Sequence, residues 1–172
     1  DQAEVTSCGM NDGPLEGVGT YPARICCHLT GKKPMCMSHP LAMKMDYPFL
    51  TQDCHDIEPE SEEAKGEKDF PVQYIANIQD ENIVGYKYFD FGGAKKLNLV
   101  VRGRSEKVAG KILVGQSLDD FFCGSIPVQI DEKDGKNWIT VGGEVQFKEG
   151  TYPLYLKFEG SGSFDFAQFE FA

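Results

Sequence analysis

No apolar run among the 172 residues approaches the roughly 20 needed to cross a bilayer as a helix. No window of a dozen residues keeps a 3.6-residue period either, so helices are expected to be nearly absent. Bases are scarce beside acids: 17 lysines and arginines face 27 aspartates and glutamates, a formal charge of -10. That sign excludes a nucleic-acid partner, whose phosphates demand cations, and an anionic membrane surface. Tight C-x-x-C pairs are missing, so Cys26, Cys27, His28, Cys36, His39, Cys54 and His55 do not read as a zinc site. The glycines do not form a strand-to-helix phosphate loop, and no cysteine sits in a hydrolase signature. Internal repeats are absent as well.

The chain start, Asp1-Gln2-Ala3-Glu4, has nothing of a signal peptide. A strand-like Ala3 to Thr6 with no lead-in favours a piece of something longer. Six cysteines leave disulfides in a secreted protein and free thiols in a cytosolic one both open.

What remains is alternation. Tyr152, Leu154, Leu156 and Phe158 alternate with Pro153, Tyr155, Lys157 and Glu159, the period of a half-buried strand. Gly160 to Ser163 supplies a turn, and Phe164 to Phe171 returns as the second arm of an expected hairpin. Phe164 and Phe166 share one parity and Phe169 and Phe171 the other, which calls for a bulge or for burial of both faces. Further strands are expected at Gln2–Thr6, Arg24–Leu29, Val72–Ile78, Ile83–Phe91, Leu97–Arg102, Lys111–Val114, Cys123–Ile130, Asn137–Val141 and Glu144–Phe147, separated by glycines. Between residues 30 and 70 the pattern dissolves into prolines, a methionine cluster and the acidic run Glu58 to Glu63, so a long surface excursion is expected. The fold class is all-β, a sandwich in a single domain.

Such a sandwich suits sugars, whose C–H faces stack on aromatic rings while their hydroxyls need polar groups at the rim. Phe121 and Phe122 stand near strand ends. Tyr74 suits either core or ligand, and Tyr86 and Trp138 have the apolar neighbours of core residues. Asn77, Lys136 and Asn137 are the candidate polar partners.

Specific motifs sharpen this. Gln2-Ala3-Glu4, Gln73 to Asn77 running on to Tyr86, Trp138-Ile139-Thr140-Val141, and Gly150-Thr151-Tyr152 through Phe171 stand in the order and register of family 6 carbohydrate-binding modules, which the chain resembles. The resemblance implies a jelly-roll β-sandwich with its first and last strands side by side. Glu4 to Met10, Gly13 to Leu15, Tyr21 to Ile25 and Phe49 to Asp53 look like the tract that follows the catalytic domain in family 43 glycoside hydrolases of the arabinofuranosidase and β-xylosidase type. Catalysis there belongs to a propeller, so the resemblance implies a non-catalytic module of a secreted enzyme. Its partners would be xylan or related cell-wall glycans and the parent catalytic domain.

In the family a tyrosine and a tryptophan clamp a sugar ring. Tyr74 holds the tyrosine position, but Gly135 stands where the clamping tryptophan would be. The alternatives are a weakened cleft, one rebuilt from Phe121 or Phe122, or a second site on the concave face. The resemblance also implies a structural calcium held by Gln2, Glu4 and Asp165, although Ala167 replaces the family's usual aspartate and Asp165 its asparagine.

Overall fold

The computed structural model describes residues 4–10, 13–32, 46–53 and 72–172. In chain order its strands are β1 (Val5–Thr6), β2 (Gly9–Met10), β3 (Leu15–Glu16), β4 (Gly19–Pro22), β5 (His28–Thr30), β6 (Phe49–Gln52) and β7 (Gln73–Ile78). There follow β8 (Ile83–Phe91), β9 (Lys96–Gly103), β10 (Val108–Gly115), β11 (Gly124–Ile130), β12 (Ile139–Glu144), β13 (Gly150–Ser161) and β14 (Phe164–Phe171). Two sheets form the sandwich. One runs β11-β10-β13-β8-β3, with β5 also on β8; the other runs β12-β9-β14-β7-β6, with β4 also on β14. Pairing is antiparallel except between β3 and β8. The all-β sandwich expected from alternation is thus present, and the helical elements among the described residues include the short 3-10 turns Ala23–Ile25 and Glu132–Asp134.

The core fills the gap between the sheets with β8, β9, β13 and β14 side chains. Phe89, Phe91, Leu97, Leu99, Leu154 and Phe158 belong to it, and so do Phe164, Phe166, Phe169 and Phe171. The change of parity along β14 is met by a bulge: its register against β9 shifts between Phe166 and Gln168, which turns Phe169 and Phe171 back to the core.

Several expectations need correction. β13 and β14 are not a hairpin, for β13 pairs with β10 and β8 while β14 pairs with β9, β7 and β4. Residues 160–163 carry the chain from one layer to the other. This lets Phe158 and Phe164 meet edge to face across the core with centroids 5.0 Å apart, which neighbours in one flat sheet would not do. Gly162 makes the crossing at φ +83, where any Cβ would also strike the carbonyl of Lys107.

Gly142 and Gly143 do not separate two strands. They lie inside β12, where a Cβ would collide with Asn98 on one side and Ser125 and Ile126 on the other, and residues after Glu144 leave the sheet. The excursion expected over 30–70 is interrupted by β6, which covers the edge of β7 in register from Phe49 against Ala76 to Gln52 against Gln73. The acidic run, the methionine cluster, Gln2, Cys36, His39, Cys54 and His55 lie outside the described residues. The last strand does have an early neighbour, but it is β4; β1 lies against β8 of the other sheet, where Ser7 donates its backbone N–H to the Lys87 carbonyl at 2.6 Å.

His28 on β5 packs edge to face on Tyr155 at 5.6 Å, and burial, with a smaller push from Lys87, lowers its pKa from 6.5. The folded state therefore favours the neutral ring, so this stability is present above pH 6.5 and lost as pH falls through the lowered folded value. Urea midpoints are expected to drop on acidification below the ordinary imidazole range. His28→Gln should flatten that part of the pH profile; an unchanged profile would remove His28 from the account.

Candidate functional site

Alternation along β9 sends Leu97, Leu99 and Val101 into the core and Arg102 to the outer face of the second sheet, where Tyr74 of β7 also lies. Arg102 is nonetheless fully buried. Its guanidinium sits 4.7 Å from the Tyr74 ring centroid and 4.3 Å from that of Trp138, while the two rings are 5.4 Å apart at 68°. The planar cation fills the space between two aromatic surfaces, as guanidinium groups readily do. Arg102 donates through Nε and Nη2 to Asp165 Oδ2 at 3.4 and 3.3 Å, and through Nη1 to Asp53 Oδ1 at 3.2 Å. Arg104 donates to the other oxygen of Asp165 at 3.2 Å and lies 5.4 Å from the Phe49 ring.

Asn77 completes the cluster. Its backbone N–H donates to Asp165 Oδ1 at 3.1 Å and its Nδ2 to the Tyr47 carbonyl at 3.1 Å, with φ at 62. Asparagine tolerates that left-handed conformation better than most residues. The cluster balances two arginines against two aspartates and pins the 46–53 segment over the sheet. Tyr74 at 0% and Asn77 at 5% exposure are therefore withdrawn from solvent, and the expected sugar clamp is occupied by the protein's own Arg102.

Lys136 and Asn137 lie in the loop between β11 and β12. Lys136 Nζ donates to the Arg104 carbonyl at 2.9 Å, and Asn137 is exposed with its Nδ2 donating to the Asp134 carbonyl at 3.2 Å. Gly135 adopts φ 56, ψ -143, a region that a tryptophan would enter only with strain. The lost clamp residue thus has a backbone reason. Trp138 Nε1 is buried without a hydrogen-bond partner among the described residues.

Phe121 and Phe122 are elsewhere. β10 begins at Val108 opposite Ile130 and ends near Gly124, so the 116–123 loop lies at the opposite end of the strands from the 131–138 loop. Phe121 is half-buried with Lys157 Nζ 5.9 Å from its ring centroid, whereas Phe122 is 91% exposed. Beside Phe122 runs a groove of about 590 Å³ lined by Lys95, Cys123, Gly124, Glu144, Val145 and Gln146. The six expected sugar contacts thus divide between two ends of the molecule.

Of the expected calcium ligands, the two that are described, Glu4 and Asp165, do not share partners. Gln2 lies outside the described residues. Glu4 bonds Tyr88 and Lys87 on β8, the Lys87 contact at 3.2 Å, and these bonds, Tyr88's first, lower its pKa. Asp165 belongs to the other sheet with its oxygens taken by two arginines. Glu4 and Asp165, as they are placed, do not join in one calcium site. Among the described residues no group of three or more His, Cys, Asp or Glu gathers in a metal-holding arrangement.

Sequence reasoning missed Arg102, Asp53 and Tyr47. The Val101-Arg102-Gly103 alternation signals that Arg102 faces away from the core, but nothing in the chain announces a partner 49 residues earlier.

No family model matches the chain. A β-1,3-glucan-binding family 6 module from Bacillus halodurans matches it with a TM-score of 0.64 and 20% identity, over 92% of this chain and 98% of that one. The fold is that of the family 6 carbohydrate-binding modules. Part of a family 43 arabinoxylan arabinofuranohydrolase from Bacillus subtilis, solved with cellotetraose, also matches it, at TM-score 0.59 and 18% identity over 94% of this chain and 28% of that one. In sequence, a xylosidase/arabinosidase from Thermoclostridium stercorarium is 35% identical over 164 residues. These make up 94% of this chain and 31% of the relative, so the chain spans about a third of that protein's length.

Proposed function

We propose that this sandwich is a non-catalytic module that binds carbohydrate and holds a family 43-type hemicellulase at xylan or arabinoxylan. The observation that carries this reading is the 35% identity sustained along 94% of the chain to part of a xylosidase/arabinosidase, on a fold shared with a glucan-binding module. Tethering would raise the local concentration of substrate around the catalytic domain without touching its chemistry. The site chemistry agrees: the buried carboxylates among the described residues, Asp53 and Asp165, are engaged by guanidinium groups, which is the wrong setting for a glycosidase acid–base pair. A polymeric substrate too large to enter a cell puts the module outside it. The chain is expected to be retarded in gels containing xylan or arabinoxylan relative to plain gels. Unchanged mobility with every soluble glycan would overturn the reading.

A second reading is favoured by the filled Tyr74 cleft: a structural domain that packs on the catalytic propeller and no longer holds sugar. Deleting the module from the parent enzyme separates the two. Lost thermal stability with unchanged polysaccharide binding selects the second.

A further inference from the structure

The Phe122 end of the sandwich has features that the filled cleft lacks. An apolar ring 91% in water usually belongs to a mobile tip, but here the backbone that carries it is tied down. The Phe122 N–H donates to Asp120 Oδ1 at 3.0 Å, the Asp120 N–H to the Ser117 carbonyl at 3.3 Å, and the Cys123 N–H to the Val114 carbonyl at 2.9 Å. Behind the loop, Gln116 is 8% exposed and laces it to the neighbouring one, accepting from the Lys148 N–H at 2.8 Å and donating to its carbonyl at 3.0 Å. The groove walls are tied in the same way: Val145 N–H to the Lys95 carbonyl at 2.9 Å, and Gln146 N–H to the Cys123 carbonyl at 2.7 Å. Gly124 lets the walls close, since a Cβ there would lie 2.6 Å from the Glu144 carbonyl oxygen. An aromatic side chain on a tied-down backbone beside a tied-down groove leaves little more than its own rotamer to order when a ligand arrives.

The rim identifies the ligand class. Lys95 donates, Glu144 accepts and Gln146 does both, so the rim suits a neutral molecule carrying hydroxyls of either role. A chain of formal charge -10 repels polyanions, and one bare ring stacks on a sugar's C–H face. A groove of about 590 Å³ is of the size that small ligands occupy. We infer that Phe122, with Lys95, Glu144 and Gln146, forms a glycan-binding groove at the end of the sandwich opposite Tyr74, and that it takes a stretch of neutral polysaccharide. This inference rests on the carbohydrate-binding reading above and gives that binding a location.

Affinity electrophoresis of the 172-residue chain in arabinoxylan, xylan, β-1,3-glucan and polygalacturonate gels tests it. The wild type is expected to be retarded by at least one neutral polymer and not by polygalacturonate. Phe122→Ala is expected to weaken that association about tenfold or more, in line with the loss of one stacking partner. Val18→Ala, at another exposed apolar position, should bind as the wild type does. Phe122 lies in solvent, so circular dichroism should show its variant folded. Equal retardation of wild type and Phe122→Ala overturns the groove while leaving the module a sugar binder. No retardation of the wild type in any neutral gel overturns both.

Discussion

Replacing Arg102 with methionine is expected to lower the unfolding free energy by about 3–5 kcal/mol, because it removes the cation that two buried carboxylates share. Asp165 at 0% exposure would keep only Arg104 of its two arginines, and Asp53 at 8% would lose its bond to Arg102, so the buried cluster would carry one cation fewer for the same two carboxylates. The segment 46–53 would lose one of its anchors as well, since Asp53 bonds Arg102 there. Urea denaturation followed by Trp138 fluorescence reads both effects, because the guanidinium lies 4.3 Å from that ring. A triple variant, R102M with D53N and D165N, removes the charges together and should recover part of the loss. A cost below about 1 kcal/mol for R102M would mean that water already reaches the carboxylates.

Phe169→Ala is expected to be comparably damaging, about 3–5 kcal/mol, through lost burial and the cavity left behind. The ring is fully buried and meets Tyr86 at 4.7 Å, Phe171 at 5.6 Å, Tyr21 at 5.8 Å and Phe89 at 6.0 Å. These partners come from β4, β8 and β14, so the hole would open where both sheets meet. Phe122→Ala makes the internal contrast, removing the same side chain from water at almost no cost in stability. Similar urea midpoints for the two variants would contradict the core assigned to β14.

Much of this was legible because alternation reports which face a side chain occupies. β8 runs over the span expected for it, Ile83 to Phe91, and the parity change among the β14 phenylalanines announced its bulge. Alternation says nothing about which sheet a strand joins. That is why β13 and β14, contiguous and both rich in aromatics, read as a hairpin although they lie in opposite layers. Gly142 and Gly143 misled for a related reason: glycine marks close approach as often as a turn, and only the partner strands distinguish the two. At the site, the tyrosine position and the missing tryptophan could both be read from the motifs. The filling of the cleft could not, because it depends on Asp53 and Arg102, 49 positions apart in the chain, meeting.

The crossing from β13 to β14 also bears on how the protein is made. β14 lies between β9 on one side and β7 and β4 on the other, so the second sheet lacks its middle until the final strand emerges from the ribosome. Until then β9 and β7 present open edges, and nascent chains stalled upstream of Phe164 would offer those edges to one another.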